Sequence, residues 1–113
     1  MKPALRVMLC DDAGERFFGE GPCRLLHLIE ETGSLRSAAA QMGLSYSNAL
    51  RLVQHAEKEL GFALTCKTIG GRGGGVGTLT AEARQFLERY EAYRDACVQT
   101  SRELYSAFFP SQR

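Results

Sequence analysis

The chain has 113 residues, 44% of them hydrophobic and 24% charged, with a formal net charge of +1. That composition describes one domain of ordinary core size, with little room for a second. No apolar run approaches the roughly 18 to 20 residues of a membrane span, and "MKPALRVMLCDD" lacks the long apolar stretch of a signal peptide, so a cytoplasmic protein without a membrane partner is expected.

The near-neutral total hides an uneven distribution. Residues 1–33 carry four basic and six acidic side chains, residues 34–80 five basic and two acidic, and residues 81–113 five of each. Only the middle third is positive, through Arg36, Arg51, Lys58, Lys67 and Arg72. A local basic surface of this kind suits phosphate contact, although an ordinary solvated face has the same composition. Cys10, Cys23, Cys66 and Cys97 fit no zinc-knuckle or Cys-x-x-Cys spacing, and buried free thiols are expected.

In chain order, "ALRVML" (Ala4 to Leu9) and "RFF" (Arg16 to Phe18) read as short strands around a turn at Asp12-Ala13-Gly14, which predicts an N-terminal β-hairpin. "GPCRLLHLIEETG" then places Pro22 at a first helical position, Leu25, Leu26 and Ile29 on one stripe, and Gly33 at the C-cap. His27 lies inside this helix and is read as structural, without an acidic or cysteine partner at ligand spacing; neither a metal nor a cofactor is expected.

"GSLRSAAAQMGLSYSNALRLVQHAEKELG" carries the most information. Leu35, Ala38, Ala39 and Met42 mark one face of a two-turn helix, Gly43 suits the left-handed conformation that ends it, and Ser45 is placed to cap the next helix. Alanines at 38 to 40 let two backbones cross closely, as a helix-turn-helix requires. On the second helix Ala49, Leu52, Val53, Ala56 and Leu60 share one core arc. Ser47, Leu50, Arg51, Gln54 and Lys58 point the other way, with Tyr46 and Asn48 in the exposed first turn. This mixture of donors, acceptors, cations and one apolar group suits base edges and phosphates in a major groove. His55 lies at the edge of that face, as a phosphate contact or a bystander.

Six of the eight residues from Gly70 to Gly77 are glycine, and the one charge among them is Arg72. No Lys-Ser or Lys-Thr pair follows the last glycine as a Walker loop needs, and no register supplies the dinucleotide fingerprint. Flanked by "ALTCKT" and "GTLT" as strand and return strand, the run reads instead as a hairpin tip: a wing whose glycines approach a DNA backbone and whose Arg72 meets a phosphate or a narrow minor groove. The last helix, from Thr80 to about Phe109, would be about 45 Å long. Ala83, Phe86, Tyr90, Tyr93, Cys97, Ser101, Leu104 and Phe108 recur along it at intervals of three and four, a seam whose first half covers the domain's core and whose remainder calls for a twofold partner. The division expected is a DNA-binding part at 1–79 and a dimerisation helix at 80–113.

"TGSLRSAAAQMGLSYSNALRLVQHAEKELGFAL" resembles the helix-turn-helix of LysR-type regulators. "GLSYSNA" followed by a "GGRGGG" wing and "LT" is more specifically similar to the N-terminal DNA-binding domain of the molybdate-responsive ModE family. The likeness runs from about Leu5 to Tyr93 and includes the hairpin ending in "RFFG". It implies a dimeric regulator of transcription whose recognition helix begins at Ser45, with contacts from Ser45, Tyr46, Ser47, Asn48 and Arg51 and a wing contact from Arg72. Two features depart from the pattern. Cys66-Lys67 stands where relatives commonly carry Glu-Arg, and Arg113 follows soon after one helix, without the molybdate-binding domains of full-length members, so oxyanion sensing is not carried over.

These readings combine into a mainly α fold with a small β part: a winged helix-turn-helix with an N-terminal β-hairpin, a glycine-rich wing and a long C-terminal dimerisation helix. The expected function is sequence-specific binding of double-stranded DNA by a homodimer, with no effector assigned. The alternatives are a winged-helix protein-interaction module and a cysteine-based effector sensor. An enzyme is not expected, because no nucleophile, base or metal constellation is visible.

Overall fold

The computed structural model describes residues 1–67 and 76–110. Its first element is a hairpin shorter than the sequence pattern suggests. β1 (Leu9–Cys10) pairs antiparallel with β2 (Arg16–Phe18), Leu9 opposite Phe18 and Cys10 opposite Arg16, with a bulge between. The Asp11 carboxylate closes the turn by accepting the amides of Ala13 and Glu15, both at 2.9 Å. Of the strand expected from Ala4 to Leu9, only Leu9 pairs. The earlier residues find other partners: Val7 is buried and its carbonyl accepts the Tyr90 hydroxyl at 2.8 Å.

Three helices follow: α1 (Glu20–Thr32), α2 (Leu35–Gln41) and α3 (Tyr46–Leu60). α1 starts two residues before Pro22, which its missing amide permits anywhere in the unbonded first turn. Ser34 caps α2 by accepting the Ser37 amide at 3.0 Å, and Ser45 caps α3 by accepting the Asn48 amide at 3.1 Å. Between them Gly43 adopts φ +69°, where a Cβ would have open space and only the backbone conformation restricts the residue. Ala38, Ala39 and Ala49 are fully buried where the two helices cross, which is the close approach the alanine run requires.

β3 (Thr65–Lys67) and β4 (Val76–Leu79) form the second hairpin, with Thr65 opposite Leu79, Cys66 opposite Thr78 and Lys67 opposite Val76. Both strands expected for a wing are therefore present; its tip, with Arg72, lies outside the described residues. α4 (Ala81–Phe108) follows without a linker. Thr80 fixes the junction by donating its hydroxyl to the Ala63 carbonyl at 2.7 Å while accepting the Ala83 amide at 3.0 Å.

Phe18 lies at the centre of the core, edge-on to Phe86 at 4.8 Å and to Tyr90 at 4.9 Å. Around it are Leu25, Leu26 and Ile29 of α1, Val53 and Ala56 of α3, and Ala83 and Leu87 of α4. Beyond Tyr90, α4 projects from the domain and gives the molecule dimensions of 61 × 30 × 23 Å. It is not bare there. The N-terminal segment runs beside it, leaving a groove of about 300 Å³ edged by Pro3, Leu5, Val98 and Ser101, and the Tyr105 hydroxyl reaches the Met1 carbonyl at 3.0 Å. Among the described residues no helix is long and apolar enough to cross a membrane.

Candidate nucleic-acid interface

At about 100° per residue, Ser47, Arg51, Gln54 and Lys58 form one face of α3, opposite Ala49, Val53 and Ala56. All four are exposed, and the three opposite them are buried. Neither carboxylate of α3 shares the open face. Glu57 turns away to accept the Leu64 amide at 2.8 Å, which pins the base of the wing to the helix, and Glu59 lies towards the other flank. Asn48 is exposed in the first turn and accepts a long bond of 3.4 Å from Arg51, which leaves most of the guanidinium's donors available. Leu50 departs from the expected open face. It is half-buried against the core, because it lies on the flank where the polar face meets the apolar arc.

The surface extends beyond α3. Arg36, exposed on α2, stacks over the ring of Tyr46 at 4.5 Å from its centroid. That contact brings an α2 cation beside the capped end of α3, and it holds Tyr46, which is half-buried, with its ring committed to packing. Lys67 is exposed at the end of β3. Among the described residues none of Arg36, Arg51, Lys58 and Lys67 is paired with a carboxylate, whereas Arg6, Arg84 and Arg94 all are. His55 is half-buried and lines a cleft of about 320 Å³ with Met8, Arg16 and Phe17, beside the N-terminal hairpin.

The family model "Bacterial regulatory helix-turn-helix protein, lysR family" matches residues 23–84, from α1 to the start of α4. The chain belongs to the LysR family of regulatory helix-turn-helix proteins. It is 38% identical over 73 residues to "Molybdenum transport protein ModE" of Herbaspirillum seropedicae, an alignment covering 65% of this chain and 25% of that protein. This LysR-family chain thus spans a quarter of that relative's length. Among solved structures it is similar to the CbnR DBD–DNA complex, with a TM-score of 0.58 and 22% identity over 77% of this chain and 94% of that one. CbnR, a LysR family transcriptional regulator, matches with a TM-score of 0.56 and 22% identity over 77% and 28% of the two chains. At that identity the likeness establishes the winged helix fold.

The residues expected on the α4 seam divide in two. Tyr90 is 2% exposed and Phe86 half-buried, both packed on Phe18 within their own chain. Cys97 is also half-buried against the core cluster. Tyr93 and Leu104, each 55% exposed, remain open on the LysR-family chain's α4 with Phe108 at 74%, and Phe109 joins them. A stripe of three- and four-residue spacing fits an internal core as well as a partner: Tyr93 already faces outwards while Cys97, one turn further, still packs inwards, and Leu104 and Phe108 are open.

The thiols also differ from expectation. Cys23 is buried, but Cys10 and Cys66 are exposed, since each lies on a two-stranded hairpin with an open face. Burial, reinforced by the Glu91 carboxylate, holds the Cys23 thiol above its ordinary pKa, so it is not a reactive thiolate. His27 has the partners that the sequence reading denied it. Its Nε2 is 3.2 Å from Glu91 Oε2, and Cys23 is one turn earlier on α1. Glu91 comes from 64 residues away and leaves no local signal, whereas the Cys23 to His27 spacing of four is the signal the sequence does carry.

Proposed function

We propose that this chain regulates transcription by binding double-stranded DNA, with α3 in the major groove. The observation that carries the reading is the outer face of α3: Ser47, Arg51, Gln54 and Lys58 in line, free of carboxylates, on a helix capped by Ser45 across the tight turn from α2. A major groove about 12 Å wide admits such a helix, and Ser45, Tyr46, Ser47, Asn48 and Arg51 at its N-terminal end meet base edges and backbone there. Arg36, Lys58 and Lys67 take phosphates, and Arg72 serves the wing. The similar fold of CbnR occurs in a complex with DNA, which supports DNA binding by this one.

Residues 1–79 are the DNA-binding part in this reading, and 80–113 the dimerisation helix. Tyr93, Leu104, Phe108 and Phe109 supply an apolar surface at the projecting end of α4, where a twofold partner would place two copies of α3 about 34 Å apart on one side of a duplex. No chemistry is assigned to the chain itself.

Footprinting on random-sequence DNA selected by the protein identifies the operator, and titration at fixed salt tests the contact. Arg51→Ala should weaken operator binding by about 1 to 3 kcal/mol while circular dichroism stays unchanged. Arg72→Ala should instead weaken operator and random DNA by similar factors and reduce the salt slope by about one counterion. Operator affinity equal to wild type for Arg51→Ala removes that residue from base reading, and retention on DNA that ignores salt refutes the DNA-binding reading altogether.

A further inference from the structure

Three donors of different type converge where α1 meets α4. Cys23 and His27 occupy positions i and i+4 of α1, which share one helix face, and Glu91 reaches them from α4. Cys23 Sγ, a His27 ring nitrogen and a Glu91 carboxylate oxygen all lie within 4.8 Å of one another. We infer that Cys23, His27 and Glu91 form a binding site for a borderline-soft divalent cation, zinc(II) by preference, which staples α4 to α1.

The geometry is close to what the ion requires. A tetrahedral zinc ion with sulfur at about 2.3 Å and nitrogen and oxygen at about 2.0 Å sets its donors roughly 3.3 to 3.6 Å apart. His27 Nε2 and Glu91 Oε2 are already 3.2 Å apart, and with all donors within 4.8 Å closure requires that these two approach the sulfur by no more than about 1.3 Å. Their side chains are 46% and 32% exposed and have the freedom to do so, while Cys23, buried in the core, is the fixed point. Solvent on the His27 side completes the fourth position with water. Thiolate with imidazole selects zinc over magnesium or calcium, which take oxygen donors.

Charge is also balanced. The thiolate and carboxylate together offset the two positive charges of the ion, and the thiol proton leaves to solvent as the metal–sulfur bond forms. Arg94 is the competitor: its Nη2 lies 3.9 Å from Glu91 Oε2. Its Nε already donates to Asp95 at 3.0 Å, which gives the guanidinium a resting partner when the ion takes Glu91.

The test uses the reduced full chain with zinc alone, competed against a chromophoric chelator, and with cobalt(II) as the spectroscopic probe. One ion per chain and a near-ultraviolet sulfur-to-cobalt band are expected. His27→Gln and Glu91→Gln should each weaken zinc at least about tenfold with unchanged melting in chelator, which keeps the test independent of the buried cysteine. Cys23→Ala should abolish the band, Arg94→Met should tighten binding, and zinc should raise the melting midpoint of wild type but not of Glu91→Gln. A Cys10→Ser/Cys66→Ser double variant should bind as wild type does. A cobalt spectrum without the thiolate band, full zinc affinity in His27→Gln or Glu91→Gln, or loss of binding in the Cys10/Cys66 double variant would overturn the site.

Discussion

Tyr90→Phe separates the internal core from the exposed seam on α4. The phenol is 2% exposed and its hydroxyl donates to the Val7 carbonyl at 2.8 Å; burial raises its pKa, so it remains a donor throughout the neutral range. Phenylalanine keeps the ring, and with it the edge contact to Phe18 at 4.9 Å, and removes only the donor. The loss is the net worth of one neutral hydrogen bond plus the cost of leaving a carbonyl without a partner, about 1 to 2 kcal/mol in all. For a chain of this size that corresponds to a fall in melting midpoint of about 4 to 8 °C. Urea denaturation at several protein concentrations is the assay, with an unchanged slope showing that the exposed surface is the same. The decrement should not depend on concentration, and the dissociation constant of the proposed dimer from sedimentation should match wild type. Tyr93→Ala, at a 55% exposed position, should do the reverse and weaken self-association with little effect on the isolated fold. If Tyr90→Phe leaves stability intact but dissociates the dimer, the assignment of Tyr90 to its own core is wrong.

Ser45→Ala should cost about 1 kcal/mol through loss of the Asn48 amide's acceptor, read by thermal melting, while Ser45→Asp retains most of it. Gly43→Ala should cost about 1 to 2 kcal/mol by backbone strain alone, since a Cβ at φ +69° meets nothing; an unchanged midpoint would mean that the turn relaxes. Arg36→Ala should remove a stacking contact worth about 0.5 to 1 kcal/mol in the free protein and also reduce the salt slope of DNA binding, whereas Arg36→Lys should restore much of the slope. Glu57→Ala should leave the Leu64 amide without its acceptor, destabilise by about 1 to 2 kcal/mol, and loosen the joint between α3 and the wing, visible as faster amide exchange at Leu64.

The helix pair was legible because its rules are local. Ser45 and Gly43 act within three residues of themselves, and Ala49, Val53 and Ala56 repeat at the period of one helix face. The wing strands were legible for the same reason, from short β-type runs on either side of the glycines. What escaped was set at long range. The bond that draws Val7 away from the hairpin spans 83 residues, and the His27 to Glu91 contact joins different helices. Leu50 illustrates a finer failure: a periodic count assigns it to the polar face, but its neighbours in space close over the flank. Along α4 the spacing of Phe86, Tyr90, Tyr93 and Leu104 is continuous, so the point at which the internal core ends depends on the width of the domain and not on the pattern.

The placement of Phe18 explains why α4 could transmit geometry to α3. Phe18 shares its surroundings with Leu52, Val53 and Ala56 of α3 on one side and meets Phe86 and Tyr90 of α4 on the other. Glu57 and Thr80 add directional bonds to the same joint, through Leu64 and Ala63 at the base of the wing. A close-packed aromatic joint with fixed hydrogen bonds does not bend continuously. Under the proposed dimer, the spacing of two recognition helices is therefore set by how two α4 helices cross, and the tolerance of the complex for altered half-site spacing should be narrow. A flexible connection between the winged helix and α4 would give the opposite behaviour; among the described residues Thr80 instead joins them directly, as at once the partner of the wing base and the cap of α4.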